Sequence, residues 1–324
     1  MKRGMASIIG LLCLLLWTGR SWSEPPASAQ PATAAAAQNS EAPARPDRAL
    51  IISVDGCRPD MLLRADAPHV RRLMASGSFS FWARTTEVSI TLPSHTSMLT
   101  GVKPEKHKIS WNADEPHPEQ PYPAFPTLFE VARKAGLTTA IVAGKAKFSV
   151  LAKPGTVDWS FIKGAGDDEV ASHATDILLK HKPQVMFVHF PDVDAAGHRI
   201  GWGSNAQLAA LENADKRIGE VLAALDKSGV AETTLVILTA DHGGAGRAHG
   251  RNDPRSRHIP WIASGPGVKK NYDLTLDPTL VINTEDTFAT ACYLLGLAPG
   301  NDIDGKPVLQ ILDKRNQELL HAEP

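Results

Sequence analysis

Three short segments carry metal-type ligands where a chain leaves an apolar run. ALIISVDG ends in Asp55, and VMFVHF runs into PDVDAAGH, with Asp194 and, four residues on, His198. LVILTA runs into DHGGAGRAHG, with Asp241 and His242 side by side and His249 beyond two glycines. One Asp after a strand is ordinarily a turn or a helix cap. Six such residues on three run ends exceed what turns require. Asp and His without cysteine suit Zn²⁺, with Mn²⁺ or Fe as alternatives, whereas oxygen-only shells suit Mg²⁺ or Ca²⁺. Six ligands are too many for one tetrahedral catalytic ion with an open position. They match two ions about 4 Å apart that clamp the attacking and leaving oxygens of a phosphoryl group.

Such a site needs a nucleophile, and EVSITLPSHTSMLTG offers one. Thr91-Leu92-Pro93-Ser94-His95 begins a short helical pattern that stops at Gly101. A hydroxyl at a helix N-terminus meets backbone N–H groups and a dipole that favours an anion. Taken alone, Thr91 or Ser94 would serve as an ordinary N-cap.

These segments have to be held by elements. Apolar runs suited to buried parallel strands are ALIISVDG (49–56), TTAIVAG (138–144), VMFVHF (185–190), LVILTA (235–240) and PWIASG (260–265). Between them lie helical patterns: HVRRLMASG, FPTLFEVARKAG, DEVASHATDILLKHK, and NAQLAALENADKRIGEVLAALDKSG with Gly229 as its stop signal. TEDTFATACYLLGL adds one more near the end. The alternation predicts an α/β fold, a mostly parallel central sheet with helices on both faces. In such sheets ligands bind at the C-terminal strand edge, where the six residues fall.

The chain has 324 residues, 43% hydrophobic and 21% charged, enough for a large core. Lys+Arg 34 against Asp+Glu 35 gives a formal net charge of -1, with no basic surplus to argue for nucleic-acid binding. Lys2 and Arg3, the apolar run Ile8–Trp17 and the small residues after it follow the order of a secretory signal over residues 1–23, with cleavage as late as 29. The run is short for a bilayer span, so no stable membrane span is expected after cleavage. Residues 24–48, rich in Ala and Pro, read as a disordered tether, and 49–324 as a single catalytic domain. An exported, periplasmic or secreted protein is expected. Cys57 and Cys292 remain after the signal, and two thiols in apolar settings are read as unbonded.

The ordered set VDG, T-x-P-S-H, D-x-x-x-H, DHG and a later HG followed by GPG resembles the alkaline phosphatase superfamily, most closely its type I phosphodiesterase/nucleotide pyrophosphatase branch. Each motif is weak alone; the order, spanning Asp55 to Gly267, is specific. The resemblance implies an alkaline-phosphatase-like fold and two zinc ions. Asp55, Asp241 and His242 would hold one, with Thr91 as fourth ligand and nucleophile; Asp194, His198 and His249 would hold the other. It also implies attack by Thr91 to give a phosphothreonine intermediate. Asn112, five residues after His107 in HKISWN, would join the Thr91 amide in holding a phosphate oxygen, although Lys108 stands where the family has Gly. His95 reads as structural. Sulfatases share the fold but begin C-x-P-S-R, which Thr91 and His95 disfavour.

The expected substrate is a small-molecule phosphodiester or nucleotide pyrophosphate. Lys145 and Lys147, in GKAKF after a strand, are candidate substrate-binding residues. They resemble the basic pair of the superfamily's monoesterases and phosphonoacetate hydrolases, which makes a phosphomonoesterase or phosphonate hydrolase the alternative. Trp111, Tyr122 and Trp202 are candidates for stacking a base or lining the rim. Short segments at His107–Phe125 and Gly243–Arg257 imply an open site. A non-catalytic exported domain that binds phosphoryl ligands would require a missing nucleophile or ligand, and none is missing.

Overall fold

The computed structural model describes residues 45–115, 118–250, 252–313 and Asn316. The expected signal segment and most of the tether lie outside the described residues. In chain order the strands are β1 (Arg48–Val54), β2 (Gly77–Arg84), β3 (Thr139–Ala143), β4 (Trp159–Ile162), β5 (Val185–Phe190), β6 (Thr234–Thr239), β7 (His258–Ser264) and β8 (Tyr272–Asp273). The α-helices are α1 (Pro59–Arg64), α2 (Pro68–Ser76), α3 (Thr91–Thr100), α4 (Pro104–His107), α5 (Leu128–Lys134), α6 (Asp167–His181), α7 (Asp192–Ile200), α8 (Asn205–Lys227), α9 (Pro254–Arg257) and α10 (Asp286–Leu295).

One sheet runs β4-β3-β5-β1-β6-β7-β2-β8. β1 lies between β5 and β6, parallel to both, with Ser53 opposite His189 on one side and Thr239 on the other. β3, β5 and β6 are buried along their whole length and β1 along all but its first residue, as continuous apolar runs demand when helices cover both faces. α8 packs on α1, α2, α6 and α7, while α10 packs on α3 and β1.

The sheet is mostly parallel, as expected, with one correction. PWIAS of the run PWIASG lies within β7, which pairs antiparallel with both β6 and β2. β2 and β4 carry no continuous apolar run and were not anticipated. The expected helices all form, and local chemistry sets several ends. Thr127 and Glu130 cap α5 reciprocally, Glu130 N–H donating to Thr127 Oγ1 (3.3 Å) and Thr127 N–H to Glu130 Oε2 (2.9 Å). Gly101 closes α3 in the left-handed conformation at φ 71°. Cys57 and Cys292 are buried free thiols, as read from the sequence.

Candidate metal centre

Each of the three strand ends delivers its carboxylate in the same manner: one oxygen is anchored and the other is left bare. Asp55, directly after β1, accepts Lys145 Nζ (2.6 Å) and His189 Nε2 (2.8 Å) on Oδ2. Asp194, in the first turn of α7 after β5, accepts Lys145 Nζ (2.7 Å) on Oδ2. Asp241, just past β6, accepts the Gly56 and His242 amides on Oδ1 at 3.1 and 2.9 Å. Asp55 Oδ1, Asp194 Oδ1 and Asp241 Oδ2 are buried without a hydrogen-bond donor. Buried carboxylate oxygens without partners are costly, and three of them converging demand a cation.

The histidines repeat the pattern. With His242 Nδ1 at 2.8 Å from Gly243 O, His249 Nδ1 at 2.8 Å from Ser89 O and His198 Nδ1 at 3.1 Å from Arg247 O, each ring donates to a backbone carbonyl. That fixes the tautomer and turns each Nε2 lone pair inward. His242 Nε2 lies 3.2 Å from Asp241 Oδ2 and 3.5 Å from Asp55 Oδ1. His198 and His249 Nε2 lie 3.4 and 3.6 Å from Asp194 Oδ1 and 3.0 Å from each other. Three carboxylate oxygens and three ring nitrogens thus face one another across the strand ends.

The ligand atoms of Asp194, His198 and His249 lie within 4.8 Å of one another, and so do those of Asp55, Asp194 and His242. The first set is the second-ion set implied by the sequence, and the second joins the two halves through Asp194. Asp194 and His198 share a face because they are four apart on α7. Gly56, at φ +71°, is required here: a Cβ on it would stand 2.9 Å from Asp194 Cα. The donor set, all Asp and His, runs from the buried Asp55, Asp194, Asp241 and His242 to the exposed His198, and it fits a divalent transition metal in a site open to solvent on one side.

The charges respond to this crowding. Burial pushes the Asp241 carboxyl well up, with the Asp55 carboxylate adding to it. Burial opposes ionisation of Asp55 too, but the Lys145 ammonium and the His189 hydrogen bond outweigh it and hold its carboxyl well down. Burial, with His249 beside it, lowers the His242 imidazole to about 4. The ring is therefore neutral at physiological pH, the form a metal ligand requires.

Thr91 is the first residue of α3, buried, with Oγ1 3.4 Å from His242 Nε2. Its backbone carbonyl accepts His95 Nδ1 (2.8 Å), while His95 Nε2 bonds Ser53 Oγ (2.7 Å). One nitrogen of His95 thus ties α3 to β1 and the other bonds back to the first residue of α3, the structural role expected of it. Asn112 Oδ1 accepts the Leu92 amide (3.0 Å), which sets the Asn112 side chain beside Thr91. Lys108, where the resembled motif has Gly, adopts φ 67°, the left-handed conformation that glycine favours.

A family model described as type I phosphodiesterase/nucleotide pyrophosphatase matches residues 49–252. The chain belongs to that family, and so to the alkaline phosphatase superfamily. Bovine (Bos taurus) bis(5'-adenosyl)-triphosphatase ENPP4 is 25% identical over 218 residues, 62% of this chain and 48% of that protein. Rat (Rattus norvegicus) steryl-sulfatase is 30% identical over 173 residues, 44% of this chain and 29% of that one. The chain thus spans about half or less of the length of these curated relatives. Among solved structures, human ectonucleotide pyrophosphatase/phosphodiesterase 5 superposes with TM-score 0.70 at 16% identity, covering 82% of this chain and all of that one. An inactive form of the murine protein in complex with AMP gives 0.68 at 14% identity, with the same coverage.

One side chain of the cluster escaped the sequence reading. His189, inside β5, holds Asp55, and its only signal was one polar residue in the apolar run VMFVHF. Lys145 was read as a substrate-binding candidate, and its ammonium lies between two of the carboxylates. Lys147 Nζ donates to the Asn112 carbonyl (2.7 Å) and lies 3.7 Å from Asp114 Oδ1. Trp202 is corrected from rim to interior: it is 7% exposed, and its Nε1 donates to Gly56 O (3.0 Å). Trp111 and Tyr122 are half-buried.

Proposed function

We propose that this protein is a two-zinc phosphoester hydrolase, a phosphodiesterase or nucleotide pyrophosphatase working through a phosphothreonine intermediate. The observation that carries the reading is the six-acceptor cluster 3.4 Å from a helix-terminal hydroxyl. Family membership and the relatives named bis(5'-adenosyl)-triphosphatase support the substrate class.

Asp55, Asp241, His242 and Thr91 would hold one ion, and Asp194, His198 and His249 the other. Bound there, the zinc pair would supply Lewis-acid stabilisation of the attacking and leaving oxygens and lower the Thr91 hydroxyl pKa. Thr91 Oγ1 attacks phosphorus in line, and the leaving alkoxide or phosphate departs opposite. Water then releases the phosphoryl group from Thr91. Asn112, its Oδ1 tied to the Leu92 amide, presents Nδ2 toward a non-bridging oxygen, where charge develops. The apolar and carbonyl surroundings of His242 and His249 keep their Nε2 atoms unprotonated.

Lys145 already neutralises two carboxylates, so the cationic surplus that a phosphomonoester dianion needs is small. This favours diesters over monoesters and phosphonates. Export is part of the proposal and rests on the charged, apolar and small-residue order of residues 1–23. No helix among the described residues is long and apolar enough to cross a membrane.

The test is a side-by-side assay of the zinc-loaded chain on p-nitrophenyl phosphate, bis-p-nitrophenyl phosphate and p-nitrophenyl thymidine monophosphate, with and without chelator. Chelator-sensitive turnover with preference for the two diesters is expected. Preference for the monoester makes it a phosphatase, and no turnover on any of them sinks the hydrolase reading.

A further inference from the structure

Lys145 follows β3 and precedes a short 3₁₀ turn, Ala146–Leu151. Gly144 before it is packed so tightly that a Cβ would stand 2.6 Å from both Ala165 O and Pro191 Cγ. The loop is therefore pinned against Pro191, the residue before α7. Its ammonium donates to Asp55 Oδ2 (2.6 Å) and Asp194 Oδ2 (2.7 Å), so two of its three N–H groups are committed. The side chain is 20% exposed, and those of its carboxylate partners 0% and 5%. Asp55 and Asp194 are the carboxylates assigned to different ions. Each is left with one bare oxygen, Oδ1, and both Oδ1 atoms lie toward the Nε2 lone pairs.

We propose that Lys145 is a positioning residue, a resident cation that ties the two ion sites together and limits Asp55 and Asp194 to one metal-binding oxygen each. Three consequences follow, all resting on the reading that the Asp/His cluster holds metal. The ammonium compensates buried like charges in the metal-free protein. It opposes a second positive charge nearby, so the ions bind less tightly than the bare carboxylates would hold them. The role of meeting the phosphate falls to Lys147, whose contacts are the neutral Asn112 carbonyl (2.7 Å) and the exposed Asp114 carboxylate at 3.7 Å, outside the ion sites.

The measurement is zinc affinity of the full chain by competition with a chromophoric chelator, alongside thermal unfolding of the metal-free protein. Lys145→Met is expected to lower the metal-free Tm while tightening zinc binding by at least about tenfold, because a neighbouring unit charge is removed. Lys145→Arg, which keeps the charge, is expected to stay within a few-fold of wild type. If Lys145→Met does not fold without metal, Lys145→Gln carries the same comparison. Zinc affinity that is unchanged or weaker in the neutral variants, with KM alone rising, overturns the proposal and returns Lys145 to the substrate. A wild-type chain that binds no zinc in the same titration fails the metal reading itself, a distinct result.

Discussion

Two buried polar regions lie in contact, and they behave in opposite ways. All ten residues of α3 are buried, half of them Ser or Thr, yet their hydroxyls find protein partners. Thr96 and Thr100 donate to carbonyls one turn back at 2.7 Å, Ser94 pairs with Thr85 and Thr86, and Ser97 bonds His107. Each such bond contributes about 1 kcal/mol and leaves nothing exposed to desolvation. The Asp/His cluster beside it holds six acceptors with every donor turned outward. Polar burial that is complete within the chain builds a scaffold. Polar burial that is incomplete in one consistent sense specifies a cation.

The sharpest way to break this contrast is at its boundary, Thr91, the one α3 hydroxyl that faces the cluster. Thr91→Ala is expected to cut turnover by roughly a thousandfold or more while zinc-dependent thermal stabilisation persists. Retained turnover would remove the nucleophile assignment. Next comes Asp241→Asn, which keeps the oxygen held by the Gly56 and His242 amides and replaces only the bare one. Zinc affinity should fall by at least about a hundredfold, yet the metal-free protein should melt higher, because a buried repulsion with Asp55 is gone. A lower metal-free Tm would show the cluster to be scaffold after all.

On the scaffold side the expectation reverses. His95→Ala leaves Ser53 Oγ and the Thr91 carbonyl without their partner and opens a cavity against Phe148, costing about 3 kcal/mol in denaturant unfolding. Zinc binding by the folded fraction should survive. The smallest effect is a pH dependence at His107, whose imidazole burial lowers to about 4. A histidine with a depressed folded pKa binds its proton more readily when unfolded. Stability is therefore complete above the ordinary histidine value of about 6.5 and falls as pH drops toward 4, by about 2 kcal/mol. Chemical denaturation midpoints between pH 7 and 4 should fall less in His107→Asn than in wild type. Equal slopes would show that His107 is not buried neutral.

Much of the site was legible because its signals are local. An apolar run followed by Asp, a D-x-x-x-H spacing on one helix face, and Asp-His after a strand each lie within a few residues, as does the T-x-P-S-H helix start. Elements with strong periodicity or a capping pair, such as α5 and α8, were legible for the same reason. β2 and β4 were not, since serines interrupt the apolar residues of GSFSFWAR and WSFI. The direction of β7 was not either, because an apolar run reads the same parallel or antiparallel.

By itself the sequence determined which residue types leave the strands, in what order, and hence the family and the identity of the ligand-type atoms. Only the tertiary structure decided how those atoms are aimed. His189 reaches Asp55 across 134 positions, Lys145 reaches it across 90, and Trp202 goes to Gly56 rather than to a rim. Hydrogen bonds of that separation depend on strand order and on which oxygen of a carboxylate is taken, and neither is written in local spacing. The bare oxygens, and so the demand for a cation, exist only once those long-range donors have claimed the others.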